Sequence, residues 1–351
     1  MNFPIAPERI MQMPIRSIDK LQSSWTPGDA NDFYSEADYW WQNPDDPDGA
    51  YICRDGMSNP DCFNRHRKLV LYMSCQVAGL TLAYLEKGNQ KYLEQIDHIL
   101  RTWFIDPDTA MRPHLNYSQA IRKKVSGRCY GVIDTVHLAE VALCVEKLRN
   151  DLPQDTVEGC IKWFADLLEW LIKSELGSIE RSTTNNHSVC WYMQAATYAR
   201  LSGNSDLLQE FRSDFKNTLL EQIAVDGSCP QEMARTKPYG YSLFVLEAFA
   251  GVAAILTTKD ENYFTITGKS GQNVAKAMEF ITPFIADKGS WQLPPDVLYD
   301  KYWPCRQSAL YLSAHYLQKN DYKVLYDKLS APATVFEVLR NFPIRHPQLW
   351  I

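Results

Sequence analysis

From about residue 65 onward, apolar residues recur with the spacing of amphipathic helices. One series has steps of four, three, four and three residues: Val157, Ile161, Phe164, Leu168 and Leu171. A second has steps of three, four and three: Leu138, Val141, Val145 and Leu148. Residues at these intervals lie on one face of a helix, and few segments alternate apolar and polar residues as a half-buried strand does. The pattern predicts an all-α protein.

Three segments share a sequence pattern that is typical of a helix, a short turn and a second helix. Each turns at Gly-Asn or Lys-Asn: 83–93, 197–208 and 314–325. Gly and Asn tolerate the left-handed backbone that ends a helix, and such turns join antiparallel αα-hairpins. The copies are too far apart for a solenoid, whose repeats span roughly 20–50 residues. Their spacing fits hairpins that wind around a closed ring, with other hairpins between them.

The N-terminal region has a different composition. Residues 26–64 are rich in Pro, Gly, Asp, Asn and aromatic residues, which predicts loop rather than helix. Long loops are usually functional or disordered, and this aromatic content argues for order. We expect residues 1–64 to form an arm and loop region packed on a helical domain of residues 65–351. No linker is evident, so these parts form one structural domain.

Charge and hydropathy exclude several classes of protein. The formal net charge is −6 at pH 7, which argues against non-specific nucleic-acid binding, because that binding depends on neutralising phosphates with Lys and Arg. No run approaches the ~18 uninterrupted apolar residues of a membrane helix. The first residues lack the basic and apolar regions of a signal peptide, so cytoplasmic residence stays open.

The cysteines and the absence of cofactor motifs point to a protein without a metal or organic cofactor. The nine Cys include no CxxC pair, and most are expected to be buried apolar residues; Cys53 and Cys62 are the one local disulfide to consider. There is no GxGxxG, complete P-loop, HExxH, zinc spacing or GxSxG. An acidic segment at residues 45–49 lacks the remaining ligands of a calcium loop and is interpreted as a solvated turn.

Two polar clusters carry candidate chemistry. Asn185, Asn186 and His187 open a helical pattern, where donors and the helix dipole favour a carboxylate; a simple Asn N-cap explains them equally well. Arg235 and Tyr241 lie just before an apolar helix, in a segment that also contains Glu232 and Lys237. Arg offers a planar fork for a carboxylate, and a nearby positive charge stabilises a phenolate. Read alone, this second cluster is also explained by a basic turn with packing aromatics.

Taken together and in order, these clusters and several others resemble the alginate lyase superfamily, most closely polysaccharide lyase family 38, a relative of family 5. The similarity runs from about residue 30 to about residue 320. The motifs that carry it are Asp38-Tyr39-Trp40-Trp41, Arg54-Asp55-Gly56, Asn59-Pro60, Trp103-Phe104, Asn116-Tyr117 with Gln119, Gly127-Arg128 with Gly131 and Asp134, Asn185-Asn186-His187, and Glu232-Met233-Ala234-Arg235-Thr236 leading to Tyr241.

The resemblance implies an (α/α) toroid, an incomplete barrel of αα-hairpins, that cleaves a 1,4-linked polyuronate by β-elimination. Tyr241 would match the acid/base tyrosine, and Asn186, His187 and Arg235 the group that neutralises the substrate carboxylate. Neutralisation stabilises the enediolate-like intermediate that forms when H5 is removed. In β-linked mannuronate and glucuronate, H5 and O4 lie on one face, so one Tyr can serve as base and acid. Poly-mannuronate is the expected preference, with glucuronan as an alternative.

Further residues are candidates for substrate binding, and for each a structural role competes. They are Gln119, Asn185, Tyr117, Arg128, Tyr39, Trp40 and Arg306. The expected partner is an acidic polysaccharide. Family members are commonly exported, so secretion or a periplasmic location is the expectation that the resemblance implies.

Two other functions remain open at this point. A glycoside hydrolase on the same fold would need two carboxylates at the scissile bond, for which Glu232 and Asp134 are the candidates. An inactive carbohydrate-binding scaffold would also account for the aromatic content of 12%.

Overall fold

A computed structural model describes residues 5–351, and helices make up most of its regular structure. The chain divides into two compact units, residues 5–180 and Arg181–Ile351. The sequence-based division at residue 64 stays a prediction.

The first unit contains short strands as well as helices. Its helices are α1 (Pro7–Ile10), α2 (Arg65–Lys87), α3 (Gln90–Phe104), α4 (Leu138–Lys147), α5 (Gln154–Lys173) and α6 (Glu175–Arg181), the last ending at the boundary. Its strands are β1 (Tyr34–Glu36), β2 (Trp40–Trp41), β3 (Ile52–Cys53) and β4 (Tyr117–Ala120). β1 pairs in parallel with β4, and β2 pairs antiparallel with β3. The stretch 26–64 is therefore ordered and, as expected, contains no helix in this structure.

The helical series found in the sequence face the core of this unit. The series from Leu138 to Leu148, which runs along α4 to its C-cap residue, is fully buried. In α5, four of the five residues are buried, and Ile161 is partly exposed. α2 begins at residue 65, where the helical pattern was expected to start.

The hairpin turns are confirmed in two cases and corrected in the third. Gly88 and Gly203 end helices in the left-handed conformation, with φ of 63° and 72°. The following Asn89 and Asn204 accept hydrogen bonds from backbone N–H groups of the next helix. In the third copy the left-handed residue is Gln318, with φ of 54°, rather than a residue of the Lys-Asn pair.

The second unit is built on two buried helices that pack against each other, α7 (Asn186–Leu201) and α10 (Pro238–Leu256). The other helices of this unit are α8 (Ser205–Asn217), α9 (Pro230–Met233), α11 (Val274–Ala286), α12 (Ser308–Tyr316), α13 (Asn320–Lys328) and α14 (Phe336–Leu339). α10 is apolar on nearly all sides, as expected of a helix surrounded by protein.

By length and composition alone, α2 and α10 could cross a membrane. The most apolar windows of these helices are 61% and 100% buried inside the protein, which is the behaviour of core helices.

All nine cysteines are free. Cys75, Cys144 and Cys160 are buried, as expected of small apolar residues. The disulfide considered between Cys53 and Cys62 is not formed, since Cys53 is exposed and Cys62 is buried with its thiol 3.5 Å from the carbonyl oxygen of Ala37.

Candidate functional site

The start of α7 presents three polar residues in one turn. Asn185 is the N-cap, and its side-chain oxygen accepts a hydrogen bond of 3.1 Å from the N–H of His187. Asn186 is 3% exposed, and His187 is partly exposed. The N-cap interpretation is therefore correct for Asn185. It does not by itself account for Asn186 and His187.

Glu232, on the short helix α9, holds Asn186 in place. Its two carboxylate oxygens accept from the backbone N–H and the side-chain Nδ2 of Asn186, each at 2.7 Å. Glu232 is only 1% exposed, and this burial raises the pKa of its carboxyl. The two Asn186 bonds and the nearby charges of Arg235 and His187 act in the opposite direction and lower that pKa.

Arg235 and Tyr241 meet between the end of α9 and the first turn of α10. The guanidinium carbon of Arg235 lies 4.6 Å from the centre of the Tyr241 ring, at cation–π distance. Tyr241 is partly exposed, and its N–H donates to the carbonyl of Lys237 at 2.9 Å. Arg235 therefore lies within electrostatic range of both the phenol ring and the Glu232 carboxylate.

The second unit thus brings together the residues expected to be catalytic: Asn186, His187, Arg235 and Tyr241. The sequence interpretation placed Glu232 in the same motif as Arg235 and considered it as a hydrolase acid, but missed it as the common neighbour of Asn186, His187 and Arg235. A pattern search gives no sign of this role, because Glu232 and Asn186 are 46 residues apart in the chain and meet only through folding.

In the first unit, Gln119 and Arg128 form a tight pair beside β4. Arg128 donates through Nη2 to the Gln119 side-chain oxygen at 2.8 Å and through Nε to its backbone carbonyl at 3.0 Å. Gln119 has φ of 49°, an uncommon conformation for a residue other than glycine. Gly127 is required just before Arg128, because a Cβ there would lie 2.0 Å from the Asn116 carbonyl oxygen.

Asp134 fixes the side-chain amide nitrogen of Gln119. It accepts from Gln119 Nε2 at 3.0 Å, from Ser35 Oγ at 2.5 Å and from Arg67 Nε at 3.1 Å. Arg67 also pairs with Asp38 at 2.5 Å. Burial raises the pKa of Asp134, while the Arg67 charge lowers it. The pair Gln119–Arg128 is therefore attached to a buried ion-pair network.

Aromatic rings surround Arg128. Its guanidinium carbon lies 5.0 Å from the Tyr130 ring centre and 5.8 Å from that of Trp40, and Lys124 Nζ lies 4.4 Å from Trp40. Burial lowers the pKa of Arg128, with nearby groups acting against that shift. The structure brings Gln119, Arg128 and Trp40 into one cluster of cations and rings.

Three other candidate binding residues have local roles in the structure. Tyr39 is partly exposed, and its carbonyl accepts from the Arg54 N–H at 2.7 Å. The Tyr117 ring packs edge-on against His114, with ring centres 6.1 Å apart. In the second unit, Arg306 Nε donates to the Leu329 carbonyl at 3.0 Å. The substrate roles of these residues stay predictions.

Among residues 5–351, no group of three or more His, Cys, Asp or Glu side chains is arranged to hold a metal ion. The residues gathered around Glu232 offer acid/base and charge-neutralising chemistry from their side chains.

Comparison with known proteins places these observations in a family. The family model for alginate lyases matches residues 19–291. A search of curated proteins found no match.

Solved structures give the same indication. The crystal structure of an alginate lyase from Bacteroides ovatus is 28% identical, with a TM-score of 0.81, over 95% of this chain and 90% of that one. Alginate lyase A1-III from Sphingomonas species A1 is 13% identical, with a TM-score of 0.54, over 89% and 82%. A variant of A1-III complexed with a tetrasaccharide is 14% identical, with a TM-score of 0.58, over 90% and 84%. The predicted fold class, an all-α toroid, is confirmed by these likenesses.

Proposed function

The chain belongs to the alginate lyase family and is a polysaccharide lyase, and we propose that it cleaves β-1,4-linked polyuronate with Tyr241 as acid and base. The preferred substrate in this proposal is poly-mannuronate, with glucuronan as the alternative. One observation carries the residue assignment: the buried carboxylate of Glu232 gathers Asn186, His187 and Arg235 in the same unit as Tyr241.

The difficult step is removal of H5, because the adjacent uronate carboxylate is already negative. Arg235 can place positive charge, and His187 and Asn186 can place N–H donors, against that carboxylate. Asn186 Nδ2 lies 2.7 Å from a Glu232 carboxylate oxygen and donates one of its two hydrogens to it, which leaves the second amide hydrogen for a ligand. Negative charge that develops in the transition state is then met by donors already in position.

The elimination removes one proton from C5 of the substrate and returns one proton to the departing O4. The phenolate of Tyr241 removes H5, and the electrons of the C5–H bond form the C4–C5 double bond as the C4–O4 bond breaks. The departing O4 takes a proton from the Tyr241 phenol, which restores the phenolate. Arg235, 4.6 Å from the ring, provides positive charge beside this phenolate. No water is added, and the new chain end is a 4,5-unsaturated uronate.

The Gln119–Arg128 pair is proposed to bind the polymer. Arg128 supplies a cation, and Trp40 and Tyr130 supply flat faces suited to sugar rings. Asn185, Tyr117, Tyr39 and Arg306 have a weaker case, because their visible contacts are structural.

The hydrolase alternative is disfavoured by the state of its two candidate carboxylates. Glu232 is 1% exposed and Asp134 is 3% exposed. Glu232 already accepts two bonds from Asn186, and Asp134 is engaged by Arg67, Ser35 and Gln119. Neither carboxyl is placed to donate a proton to a glycosidic oxygen in solvent.

The experiment that tests the function is a comparison of products on defined poly-mannuronate, poly-guluronate and glucuronan. We expect near-UV absorbance from the conjugated double bond to grow fastest on poly-mannuronate, with shorter chains that have gained no water. Shortening without absorbance would establish hydrolysis, and binding without shortening would establish the scaffold function. The expected export of the protein stays a prediction, which its location in fractionated cells would test.

A further inference from the structure

The first turn of α10, which carries Tyr241, is capped from a distant loop. Lys237, the N-cap residue, makes no side-chain capping hydrogen bond. Pro238 has no N–H, and the Tyr241 N–H reaches the Lys237 carbonyl at 2.9 Å. Two amides of the turn, those of Tyr239 and Gly240, therefore need acceptors from outside the helix.

Asp296 supplies both acceptors. Its Oδ1 accepts from the Tyr239 N–H at 3.0 Å, and its Oδ2 accepts from the Gly240 N–H at 2.9 Å. The fit is close, because a Cβ at Gly240 would lie 2.6 Å from Asp296 Oδ2. Asp296 is 5% exposed, so water does not compete freely for these amides.

The loop that contains Asp296 is itself anchored. The N–H of Asp296 donates to Asp300 Oδ1 at 3.1 Å, and Lys288 pairs with Asp300 at 2.8 Å. The next residue, Val297, donates its N–H to the Thr236 carbonyl at 3.1 Å. The loop is therefore hydrogen-bonded to the chain before the start of α10, at Thr236, and within its first turn, at Tyr239 and Gly240.

We propose that Asp296 is a positioning residue for the lyase reaction, which fixes the first turn of α10 and through it the phenol of Tyr241. The proposal rests on the proposed function, because it assigns Tyr241 to proton transfer. Asp296 does not touch the substrate in this account. Its effect is on kcat rather than on substrate binding, since a displaced phenol loses alignment with H5 and O4.

The charge state of Asp296 gives the proposal a distinctive signature. Burial raises its pKa to about 6, the two amide bonds lower it, and the neighbouring charges of Asp300 and Lys288 raise and lower it respectively. On the helix side, the N-cap residue Lys237 has its Nζ 5.4 Å from the Tyr299 ring centre. Below about pH 6 the carboxyl takes up a proton and becomes a poorer acceptor for the two amides.

The sign of the linked stability change separates this effect from unfolding. A carboxyl whose pKa is raised on folding binds its proton more tightly in the folded state. The contribution of Asp296 to the stability of the fold therefore grows as the pH falls from about 6 towards 3.8, the pKa of the carboxyl in the unfolded chain. We expect kcat to fall over this pH range, although protonation of Asp296 does not destabilise the folded protein.

The test compares Asp296→Asn with the control Asp287→Asn. Asp287 is an exposed aspartate of the same region whose side chain caps the short turn at residues 288–290, where it accepts from the Gly289 N–H at 3.0 Å. We expect Asp296→Asn to lower kcat on poly-mannuronate at least tenfold with KM within threefold, and to remove the loss of kcat near pH 6. Asp287→Asn should match the wild-type protein. An Asp296→Asn variant with wild-type kcat and an unchanged pH profile would overturn the proposal.

A second readout does not depend on the lyase reaction. Hydrogen–deuterium exchange of the peptide 237–242 reports the Tyr239 and Gly240 amides directly. We expect faster exchange there in Asp296→Asn, and in the wild-type protein as the pH falls through 6 after correction for intrinsic rates. Unchanged exchange would refute the capping role, whether or not the variant is active. A wild-type protein that makes no unsaturated product would instead refute the proposed function.

Discussion

The cluster around Glu232 and the cluster around Asp134 use similar residues in different ways. Both centre on a buried carboxylate whose pKa is raised by burial and lowered by neighbouring donors. Asp134 binds the buried Arg67, a cation that it shares with Asp38. Around Glu232 the neighbouring side chains of Arg235 and His187 are partly exposed.

This difference indicates a division of labour. A cation that lies in the interior beside two carboxylates, as Arg67 does, holds structure and has little to offer a ligand. Partly exposed donors supported by a buried carboxylate can still meet the carboxylate of a substrate. We therefore expect substitutions near Glu232 to reduce kcat, and substitutions near Gln119 and Arg128 to affect KM.

The largest of these effects should follow Arg235→Ala. It removes the cation that faces both the Tyr241 ring and the Glu232 carboxylate. We expect kcat to fall by roughly 10²–10³, as for loss of one transition-state donor in other enzymes. Steady-state rates on poly-mannuronate measure this. Arg212→Ala, which removes a guanidinium bonded to the Leu256 carbonyl at 3.1 Å, is the control and should retain kcat.

A smaller loss of rate is expected from Glu232→Gln. The glutamine side chain keeps one oxygen that can accept from Asn186, but its NH2 group now faces the second N–H donor of Asn186. We expect kcat to fall roughly tenfold to hundredfold, because Asn186 is no longer held in alignment. Because burial raises the pKa of Glu232, its charge destabilises the fold at neutral pH, and neutralisation offsets part of the lost bonding. We expect the unfolding free energy to change by no more than about 1–2 kcal/mol.

Denaturant titration and rate measurements on the same Glu232→Gln preparation separate these two effects. Glu261→Gln, which alters an exposed carboxylate paired with Lys216 at 2.9 Å, serves as the control and should leave both quantities unchanged. A fully active Glu232→Gln protein would show that the carboxylate does not organise the neutralising group.

Arg128→Ala should affect binding more than chemistry. It removes a cation beside Trp40 and Tyr130 and frees the Gln119 side-chain oxygen. We expect KM for poly-mannuronate to rise about threefold to tenfold, the size expected of one partly exposed charge contact, with kcat within threefold. Equal losses in kcat and kcat/KM would instead place Arg128 in the reaction itself.

The smallest effect is expected at Arg306. Its Nε already donates to the Leu329 carbonyl, and its guanidinium lies 5.9 Å from the Tyr326 ring centre. We expect Arg306→Ala to lower the unfolding free energy by about 0.5–1.5 kcal/mol through the lost hydrogen bond, with KM unchanged. A raised KM at unchanged stability would restore Arg306 as a substrate-binding residue.

The local features of the fold could be predicted from the sequence. The apolar spacing of α4 and α5, the left-handed Gly88 and Gly203 turns and the Asn185 cap all depend on residues within a few positions of one another. Such features follow from helix geometry and from the conformational freedom of glycine.

The long-range features could not be predicted in this way. β1 pairs with β4 across more than eighty positions, and no alternating pattern marks either strand. The partners of Asn186 and of the first turn of α10 are likewise remote in the chain, at Glu232 and Asp296. Glu232 belongs to a motif that does not reveal its partner, and Asp296 belongs to none. The roles of both residues depend on burial, which a sequence pattern reports only for apolar residues.

The central claim, that Tyr241 moves the proton in β-elimination, is tested most directly by the Tyr241→Phe variant. Double-bond formation is followed in the near-UV on poly-mannuronate, with Tyr263→Phe, which removes a phenol 3.4 Å from Glu261, as the matched control. We expect Tyr241→Phe to lose roughly 10²–10⁴ in kcat, the usual contribution of a general acid–base, while still binding the polymer. A Tyr241→Phe protein that forms unsaturated ends at the wild-type rate would contradict the account.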